Sequence, residues 1–385
     1  MSTERTHALL SPSSASRWLA CTPSARLEDK FPSTDTLATI EGTRAHKWAE
    51  WYLCRTQELA GAPTDAELYD GDSDMQHYAE GYAEFVGSLV AVAKAKTPDA
   101  EVLTEVPLDL TAYIPEGYGT ADAVIVGDGV LYVIDYKYGK GVSVSAEKNP
   151  QMMLYALGVL DIYEMVYDIK SVNMTIYQPR LGNITVCEMA VSELKEWADL
   201  VLKPTAQRAF AGEGEMVTGS HCRFCRASAV CRQQALESAS LFERLSAKDN
   251  STLTPSEVAS VLSDKDKIAA WLKSVEDYAL KQALAGEEIT GFKLVAGRSV
   301  RRYSDADAVE SRLIEKGYDK ALIYKPRELI GISEMEKLLK KANFMAVLGD
   351  LIVKPEGKPT LVPDSDTRPA LSATTSAIND FQSIL

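Results

Sequence analysis

The chain has 385 residues, 46% of them hydrophobic, and a formal net charge of −14 at pH 7. This length exceeds a usual single domain, so one large domain with an appendage, or two domains, is expected, and the acidic balance argues against a protein that coats nucleic acid through a general basic surface. No apolar run approaches the roughly 18 residues of a membrane helix, and "MSTERTHALLSPSSASRW" lacks the basic-then-apolar order of a signal peptide, so a cytoplasmic location with no membrane partner is expected.

In chain order, residues 11 to 59 read as helical, opening on "SPSSASRWLAC" and continuing through "EGTRAHKWAEWYL". A polar loop, "GAPTDAELYDGDSD", precedes a further helix around "MQHYAEGYAEFVGSLVAVAKA". The pattern then changes to short, β-branched segments bounded by Gly or Pro: "AEVLTEVPLDL", "YGTADAVIVGDG" and "VLYVIDYKYG". A helix at "NPQMMLYALGVLDIY", a strand at "SVNMTIYQP", an edge strand at "GNITVCEMAV" and another helix from Ser192 complete an α/β core with a mixed sheet flanked by helices. The polar "SAKDNSTLTPSEV" predicts a boundary that assigns 1–245 to the core domain, 246–353 to a smaller α+β unit and 354–385 to an irregular Pro-, Ser- and Thr-rich tail.

Side-chain alternation in "VIDYKYG" puts Asp135 and Lys137 on one face of a strand and Tyr136 on the other. Asp122, at the end of the preceding strand, is expected nearby, and two converging carboxylates repel unless a cation lies between them. Oxygen ligands suit Mg²⁺ or Mn²⁺, and an adjacent ammonium suits orientation or deprotonation of a water, or stabilisation of a pentavalent phosphate. D-x-K alone is equally an i,i+2 pair on a surface hairpin. Two further elements add weight: His46 and Glu50 one turn apart in "EGTRAHKWAE", and Gln151 and Tyr155 one turn apart in "NPQMMLYALG".

In this order the motifs resemble the RecB-like branch of the PD-(D/E)XK nuclease superfamily: a helical His (His46), "GTAD" with Asp122, "DYK" with Asp135 and Lys137, and "QMMLY" with Gln151 and Tyr155. The resemblance spans about residues 8 to 240 and extends to phage-encoded nuclease-like proteins. It implies a PD-(D/E)XK core, a metal held by His46, Asp122, Asp135 and the backbone carbonyl of Tyr136, and Lys137 acting on the water or transition state. Gln151 and Tyr155 would contact the DNA backbone or support the site, and Glu105 in "LTEVPLDL" is either an acidic group behind the ligands or a solvated strand residue. The implied activity is Mg²⁺- or Mn²⁺-dependent hydrolysis of DNA, as an exonuclease on ends or single strands, with phage replication or recombination proteins as partners in a bacterial host cytoplasm. The alternative is a nuclease-fold DNA-binding or scaffold protein with little cleavage of its own.

Cys222, Cys225 and Cys231 in "CRFCRASAVC" have the spacing of ligands to one soft centre, with Cys21 as the fourth. This one-before, three-after order resembles the iron-sulfur staple of AddB-type helicase-nucleases, which implies a [4Fe-4S] cluster; structural Zn²⁺ is the alternative. His221 is adjacent, and Cys54 and Cys187 read as small core residues. In the second unit, Lys293, Arg298, Arg301 and Arg302 are interleaved with Phe292 and Tyr303, which reads either as a hairpin tracking a phosphate backbone or as a solvated face.

Overall fold

The computed structural model describes residues 8–32, 36–64, 68, 73–246, 252–295, 306–317, 332, 335 and 340–348. Five strands, β1 (Glu101–Asp109), β2 (Tyr118–Val126), β3 (Gly129–Tyr136), β4 (Ile169–Gln178) and β5 (Asn183–Ala190), form one sheet in the order β1-β2-β3-β4-β5. All neighbours are antiparallel except β3 and β4, which run parallel. That parallel pair requires a crossover, supplied by helix α5 (Pro150–Tyr163). The sheet is therefore mixed and flanked by helices, as the segment pattern predicts, with β5 at an edge.

Alternation along the strands sorts the core into two layers. Val124, Val126, Leu131 and Val133 pack with the buried face of α5, whereas Ala123, Ile125, Tyr132 and Ile134 pack under α3 (Leu37–Thr56) and α4 (Ser73–Lys96). Helix α3 begins with reciprocal bonds between Thr36 and Thr39, a threonine version of the capping box. It turns Ala45, Ala49 and Leu53 to the sheet, small residues that let the helix lie close. Helix α5 also approaches β1 closely: a Cβ on Gly158 would stand 3.2 Å from Leu108 Cβ.

The N-terminal segment is not one continuous helical stretch. Residues 12–14 form a 3-10 turn, followed by α1 (Ala15–Ala20) and α2 (Ser24–Glu28), and α3 starts only at Leu37. The segment packs against the far end of the core, which continues from β5 through α6 (Val191–Trp197), a π-helical turn and α7 (Lys203–Ala211). Glu28, buried, is the tie: Arg17 Nε donates to its Oε2 at 2.6 Å, and the backbone N–H of Arg226 donates to its Oε1 at 2.7 Å. Glu28→Ala is expected to destabilise the protein by about 3–4 kcal/mol, because it strands a half-buried guanidinium and a backbone donor. Urea unfolding followed by circular dichroism checks this; a loss under about 1 kcal/mol would mean that Arg17 is paired elsewhere or solvated.

The division between units also differs from the one expected at 245/246. Residues Met1–Glu287 form one compact unit and Glu288–Leu385 a second. Helix α8 (Arg232–Ser246) is followed by the 30-residue α9 (Pro255–Leu284), which packs on α8 and on the 3-10 turn Ser228–Val230 and so belongs to the first unit. Its start falls inside the polar stretch, where Thr254 and Glu257 close a capping box with Pro255 at the first position. The described helices of the second unit include α10 (Ala306–Glu315) and α11 (Lys341–Leu348), with no strand among its described residues. Lys293 lies in an irregular segment; Arg298, Arg301, Arg302, most of the expected hairpin and the tail from residue 354 lie outside the described residues. Among the described residues, no helix is long and apolar enough to cross a membrane.

Candidate active site and cysteine centre

Strands β2 and β3 pair only from Ala123–Val126 to Leu131–Ile134. The next positions in that register are Asp122 and Asp135, and there the strands part: β2 continues on β1 and β3 on β4. Carboxylates directly opposite one another destabilise a ladder, so the split is where two aspartates are tolerable. Asp122 Oδ2 takes the freed N–H of Tyr136 at 2.7 Å, in place of a ladder bond. Tyr136 itself turns to the other face, into the layer under α3 and α4.

Two sets of side chains meet at this notch. From α3, His46 Nδ1 lies 3.4 Å from Asp122 Oδ1. From β1 comes Glu105, which has φ +47° and stands opposite Asp122 in the β1–β2 register, between the pairs Thr104↔Ala123 and Val106↔Ala121. A left-handed glutamate inside a strand costs energy, and here it turns a carboxylate toward the notch. Ligand atoms of His46, Glu105 and Asp122 all lie within 4.8 Å of one another. The second set comes through α5. Asn149 caps that helix by accepting from the N–H of Gln151, which fixes Gln151 in the first turn. Its amide then donates to Asp135 Oδ1 at 3.0 Å and to the Tyr155 hydroxyl oxygen at 3.1 Å, and its Oε1 accepts from Lys137 Nζ at 3.2 Å. Lys137 Nζ also lies 2.9 Å from Asp135 Oδ2.

The electrostatics follow from burial and these pairings. Burial would raise the Asp122 carboxyl, but His46, Lys137 and the Tyr136 N–H hold it below the usual carboxylate range. Burial lifts the Asp135 carboxyl, offset only in part by Lys137 and reinforced by Asp122. Burial would depress the Lys137 ammonium, yet Asp135 and Asp122 raise it above its ordinary value. His46 is likewise lifted against burial by Asp122, to about 9, and burial together with Asp122 pushes Glu105 up to about 7.

A divalent cation fits this site on two grounds. Three ligand atoms, an imidazole nitrogen and two carboxylate oxygens, already converge, and the buried Asp135 Oδ2 has the Lys137 ammonium at 2.9 Å but no well-aligned hydrogen bond, so a lone pair is left for a cation. Of the expected site residues, the structure groups the side chains in two subsets: His46 and Asp122 with Glu105, and Asp135 with Lys137, Gln151 and Tyr155. Glu50 sits one turn from His46 but pairs with Lys47 at 2.9 Å. Glu105→Gln is expected to weaken Mn²⁺ binding by about tenfold, read by calorimetric titration. Unchanged affinity would remove Glu105 from the ligand set.

The cysteines form a separate centre. Cys21, Cys222, Cys225 and Cys231 line one small cavity together with Met216, and His221 lines it while its Nε2 lies 2.9 Å from the Val217 carbonyl. Val217 N–H donates to Cys21 Sγ at 3.5 Å. Burial raises both Cys21 and Cys225, the latter to about 12 with Glu28 adding to the effect. Such thiols ionise when a metal draws them to thiolate. Cys54 and Cys187 are buried elsewhere in the fold.

A solved structure described as "Crystal structure of SSO0001" is similar at 15% identity over 55% of this chain and 94% of that chain, with a TM-score of 0.22. The family profile matches nearly the whole sequence, residues 7–369, and by that match the chain belongs to the family described as "Protein of unknown function (DUF2800)".

Proposed function

We propose that the protein is a metal-dependent deoxyribonuclease of the RecB-like PD-(D/E)XK type, acting on DNA ends or single strands. The observation that supports this best is the parting of β2 and β3 at Asp122 and Asp135, which sets two carboxylates, a histidine and a lysine around one notch. A bound Mg²⁺ or Mn²⁺ supplies charge neutralisation at a phosphate and a more acidic water. The chain's own contribution is positional. Asp135 and Gln151 fix the Lys137 ammonium from two sides, so a positive charge stands preorganised where negative charge grows on phosphate oxygens. Tyr155, hydrogen-bonded to Gln151 and packed against Gly119, where a Cβ would stand 3.1 Å from its ring, keeps the glutamine oriented. His46, Glu105 and Asp122 would hold the cation.

The four-cysteine cavity is assigned to a [4Fe-4S] cluster, supported by Cys21, Cys222, Cys225 and Cys231 lining one cavity in the one-before, three-after order of the iron-sulfur staple. It would reinforce the junction already tied by Glu28, whose neighbours Thr22 and Arg26 donate to the carbonyls of Glu213 and Phe210. The net charge of −14 supports a second reading, a nuclease-fold scaffold that reaches DNA through a more basic partner.

The test is cleavage of end-labelled single-stranded and duplex DNA with Mg²⁺ or Mn²⁺, using anaerobically purified protein beside Lys137→Met. Metal-dependent cleavage that the variant loses supports the nuclease. Binding without turnover on single-stranded, duplex and forked DNA would favour the scaffold.

A further inference from the structure

The cysteine-bearing segment, α8 and the middle of α9 enclose a cavity of roughly 610 Å³, formed by none of the acidic-site residues. That volume lies within the range of about 300–1,000 Å³ typical of small-molecule sites. Its lining is unlike a groove for an apolar helix: hydroxyls of Thr218, Ser220, Ser228, Ser238 and Ser274 contribute, and Ser238 is buried. Trp271 also lines it, and its indole nitrogen is buried with no acceptor, whereas a buried indole N–H normally finds one. Two exposed cations, Arg223 and Lys267, belong to the same lining.

Three carboxylates, Glu237, Asp264 and Asp266, line the cavity as well. Lys267 lies 3.9 Å from Asp264, and Lys265 lies 3.6 Å from Asp266, so part of this charge is compensated along α9. A lining with both signs does not suit a long polyanion laid along it. It suits one planar, polar-edged group with a single phosphate on either side. A nucleobase meets these demands: a flat face for the indole ring and edges that bond to hydroxyls.

We infer that this cavity is a pocket for one nucleotide of single-stranded DNA, the base stacking on Trp271 and the flanking phosphates meeting Arg223 and Lys267. The pocket shares Cys222, Cys225 and Ser228 with the cysteine cavity, so a strand seated in it touches the cysteine segment directly. That this strand is the substrate rests on the nuclease reading; that the pocket binds it does not.

The experiment is fluorescence polarisation of a labelled mixed-sequence 20-mer with the full chain, without added divalent cation so that no hydrolysis intervenes. Trp271→Ala is expected to weaken binding roughly tenfold, with Trp271→Phe retaining most of the affinity because a stacking face remains. Lys267→Gln is expected to lower the slope of log K against log salt by about 0.7, one phosphate contact on a single strand. Lys267 is exposed, so this variant carries the test even if Trp271→Ala fails to fold. Wild-type affinity and salt slope in folded Trp271→Phe and Lys267→Gln, together with an unaffected or unfolded Trp271→Ala, would overturn the pocket. The two readings separate cleanly: Trp271-dependent binding without any Asp135-dependent cleavage leaves the pocket and removes the nuclease, and the converse result removes the pocket alone.

Discussion

Asp135→Asn is expected to fold and to lose Mg²⁺- or Mn²⁺-dependent DNA cleavage by about a thousandfold or more. The substitution keeps the shape of the carboxylate and its contact with Gln151 but removes the charge that holds Lys137 and the unused Oδ2 lone pair. Alanine is the poorer variant. Like asparagine it removes the charge, but it also removes the acceptor for the Gln151 amide and leaves a buried gap, and so would confuse loss of chemistry with loss of fold. The measurement is single-turnover cleavage beside a thermal melt. A melting temperature near the wild type with cleavage gone supports the assignment; full cleavage by a folded Asp135→Asn, in a preparation free of other nucleases, would end it.

Much of this site is legible in the sequence because its parts are local. Alternation in "VIDYKYG" separates Asp135 and Lys137 from Tyr136, and the strands do place Asp135 and Lys137 toward α5 and Tyr136 under α3 and α4. The Asn-Pro start of α5 and the four-residue spacing of Gln151 and Tyr155 likewise appear as a capped helix presenting both to Asp135. What escapes is whatever depends on a departure from regular structure or on distant partners. Glu105 reads as one polar residue in a strand; only the pairing that sets it opposite Asp122 and its left-handed backbone bring it toward His46 and Asp122. Glu28 has no local pattern, since its partners lie 11 and 198 residues away. Trp271, with the spacing of a core residue, instead leaves an unpartnered indole at a polar cavity. The start of α9 was open to sequence reasoning, because "TPSE" carries both the capping box and the proline that mark a helix N-terminus.

Cys225→Ser is expected to strip the cysteine centre and to destabilise the first unit by roughly 5 kcal/mol, the closure entropy of a loop of about two hundred residues between Cys21 and the later cysteines. In a unit of this size that corresponds to a fall in melting temperature on the order of 10 °C. The loss should be smaller than for an isolated metal-folded peptide, because Glu28, Thr22 and Arg26 tie the same two segments without any metal. Metal analysis of anaerobically purified protein identifies the group. Iron and acid-labile sulfide near four per chain, with the broad visible absorbance of an iron-sulfur cluster, support the cluster assignment. One zinc per chain would overturn the cluster assignment. The cleavage assay on Cys225→Ser then separates support from chemistry. Since none of the cysteines is among the residues around Asp122 and Asp135, turnover per folded molecule should survive while the folded fraction falls. A folded, metal-free variant with no cleavage would place the cysteine centre in the path of the substrate and not only at the junction it closes.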